Sequence, residues 1–411
     1  MLTTRRSLIA AGAAAAALPC RPAWAQQIPT IRIGVLTDMS GPYRDLGGPL
    51  CVACVQQAAD EFNALGRGFR VEVLAADHQN KADVGSAIAR EWFDQQGVDA
   101  ITDINNSAVA LALTSICVAK DKAQLNTGAA LSDLTGKACT PNLVHWTYDT
   151  WEQAHSTCTS MVREGGGDTW FFLTADYAFG HAMERDATRF VQEAGGKVLG
   201  SAAYPFPGTT DFSSFLVRAQ ASGAKVIGLC NAGADTVNCI KQAHEFGLSR
   251  GGVRLAGMIV YINDVHAMGL DTAQGLVLTE TFYWDLNDRT RAFTARVRPR
   301  LGGIVPNMEQ AGGYAGVLHY LKAAVEIGPQ RAKASGRAAI ETMKRLPVDD
   351  DCFGPGSIQA DGQALHPAYL FEVKPPARNA QAWDYYDLRA TTPADRAFRP
   401  LGESDCPLVK T

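Results

Sequence analysis

The sequence predicts an α/β protein built as two doubly wound, three-layer lobes joined by a multi-strand hinge. Its 411 residues are too many for one hydrophobic core and suit two domains. Strand-length apolar runs alternate with amphipathic helical stretches, the pattern of parallel sheets covered by helices on both faces. Four strand-like runs also end in corners of small polar residues: Thr37-Asp38-Met39-Ser40-Gly41-Pro42-Tyr43, Asn105-Asn106-Ser107, Thr127-Gly128-Ala129-Ala130 and Thr174-Ala175-Asp176-Tyr177. Open α/β sheets bind ligands at the carboxyl ends of their strands. Amides, hydroxyls and tyrosines placed there, with no nucleotide or metal motif, suit a small polar molecule.

In chain order, residues 1–25 read first as an export leader. Arg5-Arg6 gives a positive start, Leu8 to Leu18 is a short alanine-rich apolar run, and Ala23-Trp24-Ala25 is an A-x-A cleavage site. The run is too short to span a bilayer. The arginine pair resembles a twin-arginine signal, yet the Phe and Lys that usually follow are missing, so Tat and Sec export both stay open. Ala17-Leu18-Pro19-Cys20 is a poor lipobox, and no lipid anchor is expected. The mature chain is expected to begin near Gln26, with no later stretch of about 18 consecutive apolar residues.

Strand-like runs then follow at Ile31–Leu36, Phe69–Ala75, Ala100–Asp103, Trp170–Thr174, Lys197–Ala203, Lys225–Cys230, Leu255–Val260 and Leu276–Glu280, with Gln124-Leu125-Asn126 leading into one corner. Met183, Ala187, Phe190, Val191 and Ala194 mark the apolar face of one intervening helix. Asp211 is placed to cap the next, whose face is Phe212, Phe215, Leu216 and Ala219. Leu143–Thr150 reads as a crossover between lobes. Beyond Glu280, helical patterns at Arg289–Leu301, Gly312–Ile327 and Ala332–Leu346 lack a strong strand between them, and cover an existing sheet more easily than they build a new domain. They are expected to return to the first lobe. Tyr369–Val373 and Trp383–Tyr386 read as a late strand pair on the second. The expected division is 26–145 with 281–346, and 146–280 with 347–411.

Composition excludes several classes. Cleavage removes Arg5, Arg6 and Arg21 and no acid, moving the formal charge from −4 to −7. Such a chain lacks the basic clusters that nucleic acid or an anionic membrane requires. The sequence contains no H-E-x-x-H, G-x-S-x-G, G-x-x-x-x-G-K-[ST] or G-x-G-x-x-G. No catalytic group, metal or cofactor is expected. Nine cysteines remain after cleavage, so at least one is unpaired in an oxidising compartment. Cys51-Val52-Ala53-Cys54 has redox-like spacing but sits in an amphipathic helix, where small buried residues are the ordinary case. Cys139 and Cys406 lie in loop-like surroundings and are the favoured tether.

The opening Ile33-Gly34-Val35-Leu36-Thr37-Asp38-Met39-Ser40-Gly41-Pro42-Tyr43 resembles the first strand of the type I periplasmic solute-binding proteins of ABC importers, in the branch that includes the Leu/Ile/Val-binding proteins. The resemblance continues through Thr127–Thr135, Asp176-Tyr177-Ala178-Phe179-Gly180 and Gly275-Leu276-Val277, and covers essentially the whole mature chain. It implies a periplasmic monomer that traps a small molecule between its lobes and presents the closed form to a membrane permease. Ser132–Asn142 and Thr281–Asp285 resemble a subgroup from soil bacteria in which several relatives take aromatic carboxylates. An aromatic carboxylate is therefore the implied ligand. A branched-chain or other amino acid is the alternative within the fold, and a receptor feeding a chemoreceptor or sensor kinase is the alternative role.

The resemblance also places a ligand site. It carries the ligand carboxylate onto Asn106-Ser107 after the third strand and onto Ala129-Ala130-Leu131-Ser132 after the fourth, with Leu131 where relatives often have a hydroxyl. Tyr177 and Phe179 close over the ligand from the second lobe, Asn231, Asp235, Tyr261 and Asn263 match further strand ends, and Tyr43 faces the cleft from the first loop. The physics is compatible: a helix N-terminus offers unpaired amides and about half a positive charge. Ser107 opens a helix, and both a ligand role and a capping role are open to it. Tyr43, Tyr177, Phe179, Tyr261, Tyr283 and Trp284 are a large aromatic supply for a chain with 8% aromatics. Trp146, Tyr148 and Trp151 suit hinge packing better. An ammonium would need an acid, for which Asp235 and Asp285 are the available residues.

Overall fold

A computed structural model describes residues 28–248 and 251–409. The export leader at 1–25 lies outside the described residues.

The first sheet is built from β1 (Thr30–Thr37), β2 (Arg70–Asp77), β3 (Ala100–Asp103), β4 (Ala123–Asn126) and β5 (Leu143–His145), all parallel, in the order β2-β1-β3-β4-β5. Ile31, Ile33 and Val35 point one way from β1 into the core, while Gly34 on the other face leaves room for Trp92: a methyl there would lie 2.3 Å from the indole ring. β5 falls within the stretch expected to be a crossover. Its three residues are all buried beside β4, and the chain leaves the lobe only after them.

The second lobe begins with the helix Thr150–Gly165, capped by the Asp149 carboxylate on the Glu152 amide. Its strands are β6 (Thr169–Ala175), β7 (Lys197–Tyr204), β8 (Val226–Cys230), β9 (Arg254–Gly257) and β10 (Val277–Glu280). A small antiparallel sheet of β11 (Val348–Asp350), β12 (Gly354–Ile358) and β13 (Ala364–Leu365) follows later in the chain. Then come β14 (Ala368–Val373) and β15 (Tyr386–Thr392). The second sheet runs β15-β14-β10-β9-β8-β6-β7, with the last two strands of the chain antiparallel at one edge. The late pair thus joins the second sheet, its second strand starting at Tyr386 because Trp383, at φ 73°, turns the chain first.

Between β10 and β11 the helices Met308–Ile327, Pro329–Ala334 and Gly336–Arg345 pack against the helix Gly48–Ala64, β1, β4 and β5, on the first sheet. The sequence pattern over Ala332–Leu346 is two helices rather than one. Ser335 breaks it by capping the Ala338 amide, and Gly336 crosses the backbone of Lys122, where a methyl would lie 2.3 Å from its carbonyl carbon. Cys139 and Cys406 form a disulfide that ties the C-terminal segment to the loop after β4. Cys51 and Cys54 are free and buried on the helix Gly48–Ala64, with burial pushing both thiols up.

Candidate functional site

The corner after β1 folds around Asp38. Its carboxylate accepts the amides of Ser40, Gly41 and Tyr43 at 3.2, 2.6 and 2.9 Å and the Asn80 side-chain amide at 2.6 Å. That tight loop aims Tyr43 into the cleft. After β3, Asp103 and Ile104 both take positive φ, 72° and 62°. Such a conformation is strained for any non-glycine residue, most of all a β-branched one, and strain of this kind clusters at functional sites. The kink leads into two adjacent asparagines. Asn105 turns back, accepting the Asp38 amide and donating to the Tyr43 carbonyl. Asn106 caps the helix Ser107–Lys120 by accepting the amides of Ala108 and Val109 at 3.0 and 3.1 Å. Ser107 is thereby relieved of capping, and its hydroxyl makes no hydrogen bond among the described residues.

These corners surround a small cavity. The first-sheet side contributes Leu46, Asn105, Ser107 and the turn Gly128-Ala129-Ala130. The amides of Ala129 and Ala130 likewise make no hydrogen bond among the described residues. The opposite wall is Tyr177 and Phe179 from the start of the helix Ala178–Glu193, with Ala232, Ile259 and Tyr261. Across the cleft the hydroxyls of Tyr43 and Tyr177 meet at 2.6 Å, and Phe206 stacks on Tyr177 with ring centroids 4.4 Å apart.

Tyr148 and Glu309 complete the lining. The Tyr148 and Tyr261 hydroxyls both donate to Glu309 Oε2 at 3.3 Å and contact each other closely. Burial pushes the Glu309 carboxyl well above the usual range. No lysine or arginine lines the cavity among the described residues.

The lobes are also joined outside the cavity. Ser132 donates to Asp186 at 2.8 Å, Arg185 donates to Ser132 at 2.8 Å and pairs with Asp133 at 3.2 Å, and the Ala234 amide donates to the Pro42 carbonyl at 3.0 Å. Gly233, at φ 60°, makes the last contact feasible, since a methyl there would lie 2.4 Å from the Pro42 oxygen.

A family model described as periplasmic binding protein matches residues 30–381. The chain belongs to this family. A periplasmic binding protein from Burkholderia mallei is 42% identical, with a TM-score of 0.88 over 92% of this chain and 99% of that one. A Burkholderia xenovorans protein, described as a branched chain amino acid ABC transporter periplasmic ligand-binding protein, is 38% identical, with a TM-score of 0.80 over 92% of this chain and 100% of that one. A solute-binding protein of an ABC transporter from R. palustris, solved with 4-hydroxybenzoate, shares the fold at 23% identity and a TM-score of 0.79 over 93% and 100% of the two chains. A comparison with curated proteins gave no match.

Within this periplasmic binding protein the structure brings Tyr43, Ser107, Ala129, Ala130, Tyr177, Phe179 and Tyr261 together around one cavity. Five residues predicted for the site stand outside its lining. Asn106 is engaged as a helix cap, and Ser132 sits in the interlobe contact with Asp186. Asn231 accepts from Thr236 at 2.6 Å, and Asp235 accepts from Tyr204 at 2.9 Å, with burial pushing its carboxyl up to about 6. Tyr283 packs on Phe371 and Tyr386 in the second lobe. Of the residues considered beside these, Asp285 pairs with Arg291 at 2.9 Å on the surface, and Asn263 accepts from Asn307. The cavity is also lined by Asn105, which the sequence placed in a strand-end corner without assigning it to the site, by Tyr148, expected in hinge packing, and by Glu309, which sequence reasoning missed. For Glu309 the only signal was the capping box Asn307…Gln310, which marks a helix start but not its position at the cleft.

Proposed function

We propose that this periplasmic binding protein serves an ABC importer by holding a small organic carboxylate, an aromatic one, between its lobes. The observation that carries the reading is one small interlobe cavity with unpaired donors on one wall and aromatic rings on the other. The carboxylate is received by the Ser107 hydroxyl and amide and by the amides of Ala129 and Ala130, at the start of a helix. Tyr43, Tyr177, Phe179 and Tyr261 enclose the body, each well-placed ring adding about 0.5–1.5 kcal/mol beyond burial. Because these groups come from both lobes, the full set of contacts exists only when the lobes meet, and the ligand stabilises that arrangement by the difference. The closed surface is what a permease would read. The ligand in the R. palustris structure, 4-hydroxybenzoate, is of the same chemical class.

One observation favours a second reading. Glu309 faces the cavity and could receive an ammonium, as an amino-acid ligand requires, and the B. xenovorans relative is described as a branched chain amino acid transporter's ligand-binding protein. A thermal-shift screen of benzoates, cinnamates and amino acids separates the two. At a ligand concentration of 100 Kd, binding adds about 2.7 kcal/mol of stability, a readily measured shift. Stabilisation by the aromatic acids is expected. Stabilisation only by leucine-like compounds transfers the function to the second reading, and none by either class refutes both.

A further inference from the structure

The turn Thr127–Ala130 after β4 is held mostly by residues that do not line the cavity. All four of its residues are buried, so each backbone N–H and C=O needs a partner. The amides of Thr127 and Gly128 donate to the Asp103 carbonyl at 3.2 and 2.9 Å. Every carbonyl of the turn is also taken. That of Thr127 accepts the Thr147 hydroxyl at 2.7 Å, and that of Gly128 lies 3.0 Å from the Tyr148 hydroxyl. That of Ala129 accepts the Asn126 side-chain amide at 2.7 Å, and that of Ala130 accepts the Thr150 amide at 2.7 Å. Among the described residues, the amides of Ala129 and Ala130 alone are left over in this turn.

Gly128, Ala129 and Ala130 line the cavity, whereas Asn126, Thr147 and Thr150 do not. The carbonyls these three bind are therefore drawn into the protein, and two consecutive amides remain at the concave surface. Successive backbone N–H groups in a turn make an anion-binding concavity. A carbonyl swung into the same place would set its negative end against a carboxylate. Asn126 and Thr147 are both completely buried. The Asn126 side chain makes this one hydrogen bond among the described residues, and its Oδ1 has no donor. A buried amide with an unmet oxygen is unfavourable, and an apolar residue at the end of β4 would avoid that cost. Thr147, Tyr148 and Thr150 lie where the chain crosses from β5 to the helix Thr150–Gly165. This crossover is fixed in its turn, since the Thr147 carbonyl accepts the Gln363 side-chain amide at 2.9 Å.

We propose that Asn126 and Thr147 are positioning residues for the ligand's carboxylate. They hold the turn with its carbonyls averted, so that the Ala129 and Ala130 amides stand in place before the carboxylate arrives. Donors fixed in advance need no ordering when the ligand binds. The inference rests on the carboxylate reading, and is the same whether the rest of the ligand is a ring or an amino acid.

Protein labelled with ¹⁵N-alanine tests it, with the Ala129 and Ala130 amide signals identified from Ala129→Gly and Ala130→Gly. The probes are 4-hydroxybenzoate and leucine, and the tighter binder is used. When it saturates the wild type, both amide protons are expected to move downfield, as protons donated to a carboxylate do. Thr147→Val keeps the shape and removes the hydroxyl, and Asn126→Leu removes the donor. Each is expected to weaken binding about tenfold, the contribution of one hydrogen bond to a charged group, and to shrink the downfield movement at saturation. Thr147→Ser, which keeps the hydroxyl, is expected to restore both, and the Thr147 pair carries the test alone if Asn126→Leu does not fold. An affinity within about twofold of wild type in Thr147→Val, or a loss there that Thr147→Ser shares, overturns the positioning role. A probe that binds the wild type while neither amide moves also overturns it, and leaves the carboxylate reading standing. Binding of neither probe overturns the carboxylate reading and the inference with it.

Discussion

Ser132→Ala should weaken ligand binding although Ser132 does not line the cavity. Its hydroxyl donates to Asp186 at 2.8 Å across the interlobe contact, a bond that exists only when the lobes are together. A hydrogen bond to a charged group contributes about 1.5–3 kcal/mol. The low end applies here, because Asp186 keeps the Thr150 hydroxyl at 2.6 Å and the Arg185 guanidinium at 2.9 Å after the change. The neighbouring Arg185–Asp133 pair is half-exposed at its arginine and adds little. A loss of about 1.5 kcal/mol in the closed state lowers the closing equilibrium about tenfold. The apparent Kd rises by the same factor for any ligand that relies on closure. Calorimetry with the tightest binder of the carboxylate panel would measure that factor, and stopped-flow fluorescence should place it in faster dissociation. A Kd within about twofold of wild type would refute the idea that this contact contributes to closure.

Two further predictions follow from the same structure. Gly233→Ala puts a methyl 2.4 Å from the Pro42 oxygen at a backbone φ of 60°, so it should prop the lobes apart; small-angle scattering of the ligand-saturated variant is expected to show an expanded particle, and a compact one would refute the role of this contact. Cys406→Ser opens a disulfide spanning 267 residues of sequence, and removing a bond of this kind lowers unfolding free energy by about 2–5 kcal/mol. The other cysteines among the described residues are unpaired and buried, so reductant should shift the urea midpoint of the wild type toward that of the variant, and an unmoved midpoint would contradict the tether.

Much of the fold was legible because its signals are long. The alternation of buried strands with amphipathic helices survives any local error, and the helices after β10 return to the first sheet because they have no sheet of their own to cover. Short elements carried no such signal. β5 has three residues, and the strands β11 to β13 run from two to five, too few for a periodicity to stand out from a loop. The corners were legible as a group, but the work of neighbouring polar residues was not. Asn105, Asn106 and Ser107 look interchangeable in sequence, yet one ties two loops, one caps a helix and one faces the cavity. The positive φ at Asp103 and Ile104 decides which is which, and no composition rule places such a kink on Asp and Ile.

Glu309 was invisible for a different reason, and it changes the polarity of the site. A division of the strand-end corners by lobe assigns anion donors to one side and aromatic surface to the other. The return helix breaks that division by bringing an acid from far downstream of Ser107 to the same wall. The first-sheet side then offers both poles: donors at Ser107, Ala129 and Ala130, and a carboxyl at Glu309. The second lobe contributes mainly rings, Tyr177 and Phe179, which add area without fixing orientation. An arrangement of this kind would let one lobe orient a dipolar ligand before the other covers it. Changes on the first-sheet side should therefore alter which ligand is chosen, while changes to Tyr177 or Phe179 should scale the affinity of all ligands together.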